Sequence, residues 1–221
     1  MRLTTARDLP GGCLPVPRTT TRFVVVACLM ACMMPGSPAF AAAAKGPVAR
    51  EKKPTVSTPL DLEGKPLDPL GVTNAAATVL IIVGSECPIS NRYAPELRRL
   101  HEKFKARGVR FWIVYPDPDT TVAEIRKHMR EYNLPGDAVR DPRHSLVGKS
   151  KAMVTPEAAV FTSAMRLAYH GRIDDRVVDF GKERPAPTQR DLHDAIELVL
   201  AGKKPRSPSA AAVGCRIPDL R

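Results

Sequence analysis

Thr78-Val79-Leu80-Ile81-Ile82-Val83-Gly84-Ser85-Glu86-Cys87-Pro88-Ile89-Ser90 joins an apolar run to a cysteine-proline turn. A strand over 78–83 without polar alternation is one covered on both faces, as central strands joined by helices are. The residues after the turn read as a helix. The start of a helix carries partial positive charge and unpaired N–H groups, and both favour a deprotonated sulfur. Cys87 is thus placed to be a reactive thiolate. A local dithiol would need a second cysteine at position 90, where Ser90 stands. Close by, Glu86 disfavours the thiolate and Arg92 favours it, which leaves the net sign open.

Working outward, a helix is predicted over 91–105, with Leu97, Leu100 and Phe104 on one stripe and Gly108 as its stop. Val109-Arg110-Phe111-Trp112-Ile113-Val114-Tyr115 is a second strong strand. Pro116–Asp119 makes a sharp loop, and Thr121-x-x-Glu124 is a capping box opening a helix to about 132. A short strand over 138–140 and a short helix over 144–149 follow. Segments 158–161 and 167–170 read as an antiparallel pair about a turn at 163–166. Thr188-x-x-Asp191 is read as the cap of a last helix carrying Leu192, Ile196, Val199 and Leu200 and ending at Gly202. Upstream, Leu60–Leu67 alternates about Gly64 as a short hairpin does. The order of elements predicts one α/β sandwich around a mixed sheet.

The first 41 residues read as a secretory signal peptide. Arg2, Arg7, Arg18 and Arg22 precede an apolar stretch over 23–34, and Ala39-Phe40-Ala41 is an A-x-A-like cleavage site. The stretch is too short for an ordinary transmembrane span, so no membrane span is expected. Leu29-Met30-Ala31-Cys32 offers the alternative of a lipid anchor at Cys32, with Met30 an imperfect fit. Residues 42–57 read as a proline-rich linker, 58–202 as the folded domain and 203–221 as an extended tail. The chain is exported on this reading, to the periplasm or outside the cell.

Without the leader, 30 basic and 22 acidic residues remain, and five cysteines become two, Cys87 and Cys215. Part of the positive excess lies on the helix over 91–105 and reads as a solvated face. Nucleic-acid binding is not expected, because aromatics are few and no binding motif is present. Two thiols in an exported chain meet an oxidising environment, but their spacing in sequence does not give their distance in space.

The element order, with a cysteine at the first strand-to-helix turn, resembles the thioredoxin fold, and more closely its redoxin branch of exported thioredoxin-like and peroxiredoxin-like proteins. The matching pieces are Leu60–Pro66, the stretch ending in Cys87-Pro88, Ala94-Pro95-Glu96-Leu97, Thr155-Pro156 and Gly171-Arg172-Ile173-Asp174. The resemblance covers about residues 58–202. It implies a three-layer thioredoxin-like sandwich with an N-terminal hairpin extension, a catalytic cysteine at Cys87 and a cis-proline at Pro156.

The departures narrow the chemistry. Ser90 replaces the second cysteine of Cys-x-x-Cys, and its hydroxyl is a candidate hydrogen-bond donor to the Cys87 thiolate. Peroxiredoxins carry Pro and Thr where this chain has Leu80 and Gly84. Copper-delivery relatives carry a cysteine where Asn91 stands. One thiolate is a poor soft-metal site, so no metal or cofactor is expected.

The resulting expectation is a thiol–disulfide oxidoreductase acting through Cys87 on protein thiols or disulfides, or on a small thiol. Cys215 is the candidate resolving thiol or stable disulfide partner, if the tail folds back. One alternative is a thiol peroxidase with a peroxide substrate. The other is a non-catalytic redoxin-like module that binds a partner or metal, stapled by Cys87–Cys215. His144 and His170 read as surface or loop residues, Arg172 with Asp174-Asp175 as a salt-bridged loop, and Tyr93 and Trp112 as core packing.

Overall fold

The computed structural model describes residues 58–71, 74–206 and 211–220. The expected leader, linker and Cys32 anchor lie outside these residues. At the start, Leu60 bridges Pro66 and Arg140, closing the expected hairpin against the domain.

The apolar run becomes β1 (Ala77–Ile82), buried at every position. After the cysteine turn come α1 (Pro88–Arg92) and α2 (Ala94–Lys105). The helix expected over 91–105 thus starts earlier and is broken at Tyr93. Pro88 suits a first helical turn, while Pro95 lacks the N–H that a continuous helix would use, so the chain restarts there. β2 (Val109–Tyr115) lies parallel to β1. The Thr121–Glu124 capping box opens α3 (Val122–Glu131). β3 (Asp137–Arg140), parallel to β2, leads into α4 (Ser145–Ser150). The buried Asp141 carboxylate holds that helix start, accepting from the N–H groups of Ser145 (2.8 Å), Leu146 (2.7 Å) and Val147 (2.9 Å).

Next come β4 (Val154–Thr155), β5 (Glu157–Thr162), β6 (Leu167–Gly171), β7 (Val177–Asp179) and β8 (Lys182–Glu183), then α5 (Asp191–Leu200) and, in the tail, β9 (Cys215–Arg216). The main sheet has the order β3-β2-β1-β5-β6, with β5 and β6 antiparallel to their neighbours. Side chains alternate along β1. Val79 and Ile81 enter one core with Leu97, Phe104, Leu192 and Ile196. Leu80 and Ile82 enter a second with Trp112, Leu146 and Ile217. The chain is a thioredoxin-like sandwich around a mixed sheet. Among the described residues, no helix is long and apolar enough to cross a membrane.

One expectation needs correction. Thr188 does not cap the last helix, which begins at Asp191 without a side-chain cap. Its hydroxyl and N–H both donate to Asp175 instead. In the tail, β9 pairs antiparallel with β4, Thr155 opposite Cys215.

Asp175 carries a pH prediction. Burial alone would raise its carboxyl, but donors from Thr188 and Gln189, with Arg184 alongside, hold it down to about 2 against an ordinary 3.8. Its folded value lies below the unfolded one, so its stabilisation is present above the unfolded value and is lost as pH falls from about 4 to about 2. Asp174, raised by burial, contributes a slope of opposite sign. Asp175→Asn is expected to flatten the loss of stability on acidification below about pH 4 and leave the neutral region's slope unchanged. Denaturant unfolding at a series of pH values reads this directly.

Candidate functional site

Cys87 is the residue from which α1 starts, and its carbonyl accepts from Asn91 N–H at 3.1 Å. Its side chain is 4% exposed. α1 is one turn long, so its terminus contributes less positive field than the long helix read from the sequence. Cys87 and Cys215 form a disulfide, with Cα atoms 6.0 Å apart across a sequence separation of 128. The structure therefore brings together the two cysteines among the described residues.

The β4–β9 pairing delivers Cys215 to this point. Thr155 Oγ1 donates toward the Cys215 carbonyl at 3.4 Å. Val213 packs against the first core and Ile217 is buried in the second, so the tail is anchored on both sides of its cysteine. Gly214 passes so close to β4 that a Cβ there would stand 2.2 Å from the Thr155 carbonyl oxygen. The Thr155–Pro156 peptide bond is cis. The Cys87 sulfur lies 3.1 Å from the Thr155 carbonyl oxygen. In the reduced state that oxygen accepts from a thiol and repels a thiolate, a counterweight to the helix start.

Ser90 is buried, and its hydroxyl accepts from Gly84 N–H at 3.3 Å. A Cβ at Gly84 would meet Thr155 Oγ1 at 3.1 Å and Cys87 Cβ at 3.2 Å. The place where peroxiredoxins carry Thr is thus already crowded by Thr155. Arg92 pairs with Glu183. Glu86 lies on an open cleft of about 480 Å³ beside the disulfide, which Asp117, Asp119, Glu124, Glu131 and Lys127 also line.

Tyr93 is core packing with a polar end, its hydroxyl donating to Asp174 Oδ1 at 2.8 Å. Trp112 sits in the second core. His144 Nε2 donates to the Pro116 carbonyl at 3.1 Å, and His170 lies 3.6 Å from Glu157. Arg172 pairs with Asp191 at 2.7 Å. Among the described residues, no group of three His, Cys, Asp or Glu side chains could hold a metal ion.

Sequence reasoning missed a buried chain of hydrogen bonds behind the turn. Burial pushes the Tyr115 phenol up and His128 down, so both are neutral near pH 7. Tyr115 therefore donates to His128 Nδ1 (2.7 Å), His128 Nε2 donates to Asn91 Oδ1 (2.7 Å), and Asn91 Nδ2 reaches the Ser85 carbonyl at 3.4 Å. The signal available was the position of His128, one turn beyond Ile125 on the apolar face of α3.

The geometry can now be set beside known proteins. A family model described as the AhpC/TSA family matches residues 50–170. No curated protein matches the chain. Among solved structures, a hypothetical protein from Sinorhizobium meliloti is 21% identical, with 72% of this chain and 88% of that chain covered and a TM-score of 0.62. An uncharacterized conserved protein from Geobacillus kaustophilus is also 21% identical, with 73% and 88% covered and a TM-score of 0.58. A secreted Mycobacterium tuberculosis disulfide oxidoreductase homologous to E. coli DsbE is 17% identical, with 66% and 96% covered and a TM-score of 0.44.

Proposed function

The chain belongs to the AhpC/TSA family, and from that premise we propose that it is an exported thiol–disulfide oxidoreductase acting through Cys87, with Cys215 as its resolving thiol. The observation that carries this reading is the juxtaposition of Cys87 with Cys215 across 128 residues of chain. A protein with one isolated sulfur would stop at a mixed disulfide; a second thiol in the same seat completes the exchange.

The steps balance as follows. The Cys87 thiolate attacks one sulfur of a substrate disulfide, and the other substrate sulfur leaves as thiolate and takes a proton. A mixed disulfide now joins Cys87 to the substrate. The Cys215 thiolate attacks the Cys87 sulfur, the substrate thiolate leaves, and the Cys87–Cys215 bond closes. Two electrons pass to the substrate, and a partner dithiol restores the reduced chain. Run in reverse, the same steps oxidise a partner. In this reading the Ser90 hydroxyl proton steadies the thiolate, and Pro156 shapes the wall beside it. The substrate class is a protein disulfide or a small disulfide outside the cytoplasm, as the leader implies.

The test compares disulfide reduction and hydroperoxide consumption in the full chain and two variants. Cys87→Ser is expected to lose disulfide turnover by roughly 100-fold or more, and Cys215→Ser to accumulate a mixed disulfide visible by non-reducing mass spectrometry. Unchanged turnover in Cys87→Ser would sink the reading. Hydroperoxide consumption exceeding disulfide reduction would reassign the site to a peroxidase.

A further inference from the structure

The oxidised chain already holds a cysteine-bearing segment in its own site, so the seat of that segment describes what the site accepts. Three features of the seat are specific. The first is steric. Gly214 does not take a left-handed backbone, so conformation does not demand glycine there. Close approach does, because a Cβ would stand 2.2 Å from the Thr155 oxygen and 2.7 Å from the Thr155 carbonyl carbon. Both atoms are backbone, and Thr155 adjoins β5 in the main sheet, so neither can yield cheaply.

The second feature is electrostatic. Five carboxylates, Glu86, Asp117, Asp119, Glu124 and Glu131, line the cleft beside the disulfide, against Lys127 and Arg216. The chain as a whole carries a formal charge of +11, so this acidic lining runs against its overall composition. Lys127 is drawn toward Glu131 at 3.7 Å, and the Arg216 guanidinium is held at 2.9 Å by Asp219 of the tail itself. The seated tail thus leaves Glu86, Asp117 and Glu124 of the cleft without an ion pair from the tail. The third feature is the backbone pairing, with Thr155 opposite Cys215 and Val154 opposite Arg216, which fixes an extended segment in one register.

We infer that the partner of Cys87 is an extended, cysteine-bearing peptide segment with glycine immediately before the cysteine and a basic residue immediately after it. This deepens the reading of Cys87 as a thiol–disulfide nucleophile and rests on it. The glycine clears the Thr155 carbonyl. The basic residue meets the acidic cleft, where Glu86, Asp117 and Glu124 each add to the attraction at low salt. The tail and the partner segment take turns in one seat. The partner occupies it while joined to Cys87, and Cys215 reclaims it when the Cys215 thiolate attacks Cys87 and expels the partner's thiolate.

The test uses the full chain carrying Cys13→Ser, Cys28→Ser, Cys32→Ser and Cys215→Ser, which leaves Cys87 as its one thiol, with Cys87 converted to a mixed disulfide by Ellman's reagent. A peptide thiolate attacks the Cys87 sulfur, a new S–S bond forms, and thionitrobenzoate leaves with the electron pair and is read by its colour. Three peptides are compared: the sequence of residues 212–218, the same peptide with Gly214→Ala, and the same peptide with Arg216→Glu. Each rate is divided by that peptide's rate with free Ellman's reagent, which removes differences in thiol acidity.

The parent peptide is expected to react about 10-fold faster than either variant, and its advantage over the Arg216→Glu peptide to shrink as salt is raised. Equal normalised rates for all three would overturn the inference while leaving Cys87 as a nucleophile. So would release by glutathione but not by the parent peptide. If Cys87 fails to react with Ellman's reagent in the reduced protein, the functional reading and this inference fall together.

Discussion

Cys215→Ser is expected to lower the stability of the oxidised chain by about 5 kcal/mol, because the lost cross-link closes a loop of 128 residues. The bond ties the turn after β1 to the end of the tail and so constrains most of the domain. In the unfolded chain it removes conformations that the folded chain never uses, and the loss grows with the logarithm of loop length. The folded chain holds Cys215 in place through the two-residue pairing with β4 and the burial of Ile217, so little native geometry is distorted to make the bond. Guanidinium unfolding in the absence of reductant reads the effect. Cys87→Ser should fall to the same midpoint, and reduced wild type should superpose on both. Identical midpoints for oxidised wild type and Cys215→Ser would show that the bond does not form in solution or does not constrain the unfolded chain.

Most of the sheet was legible because its signals are local. The run over 78–83 has no polar position, and the structure places it at the centre of the sheet with every residue buried. The Thr121–Glu124 capping box and the apolar spacing of Leu97, Leu100 and Phe104 each lie within a few turns of chain, and each element formed where its pattern stood. What stayed hidden depends on distant partners. Thr188 carries a capping pattern, yet the Asp175 carboxylate, thirteen residues earlier, takes both its donors. β9 is two residues long, too short for any periodicity, and it exists only because β4 offers an edge sixty residues away. His128 reads as one more polar residue on a helix until the fold sets Tyr115 and Asn91 on either side of its ring.

The candidate site divides the same way. A cysteine at a strand-to-helix turn is a local pattern, and so is Thr-Pro ahead of a strand. The distance from Cys87 to Cys215 is a property of the tail's register, which no sequence spacing states. The acidic cleft is likewise assembled from separate pieces: the cysteine turn, the loop after β2, and α3.

Gly214→Ala is expected to weaken the Cys87–Cys215 bond against glutathione on the order of 1000-fold, although it alters neither sulfur. The added methyl group has to occupy space 2.2 Å from a backbone oxygen and 2.7 Å from a backbone carbon. Those atoms belong to Thr155, next to the strand that pairs with β1, so the tail moves and not the sheet. Lifting the tail breaks the β4–β9 pairing and takes Cys215 out of its seat. Cys215 then meets Cys87 only as the end of a flexible tether, at an effective concentration of order millimolar, where the seated thiol is held within bonding reach. The equilibrium is measured by trapping thiols after incubation over a series of glutathione ratios and weighing the products. Leu220→Ala, further along the tail and outside β9, is the control. Leu220 is 51% exposed, so the bond's strength should stay within about 3-fold of wild type. If Gly214→Ala holds the disulfide as tightly as Leu220→Ala does, the tail does not need its close passage along Thr155, and the pairing of β9 with β4 is not what brings the two sulfurs together.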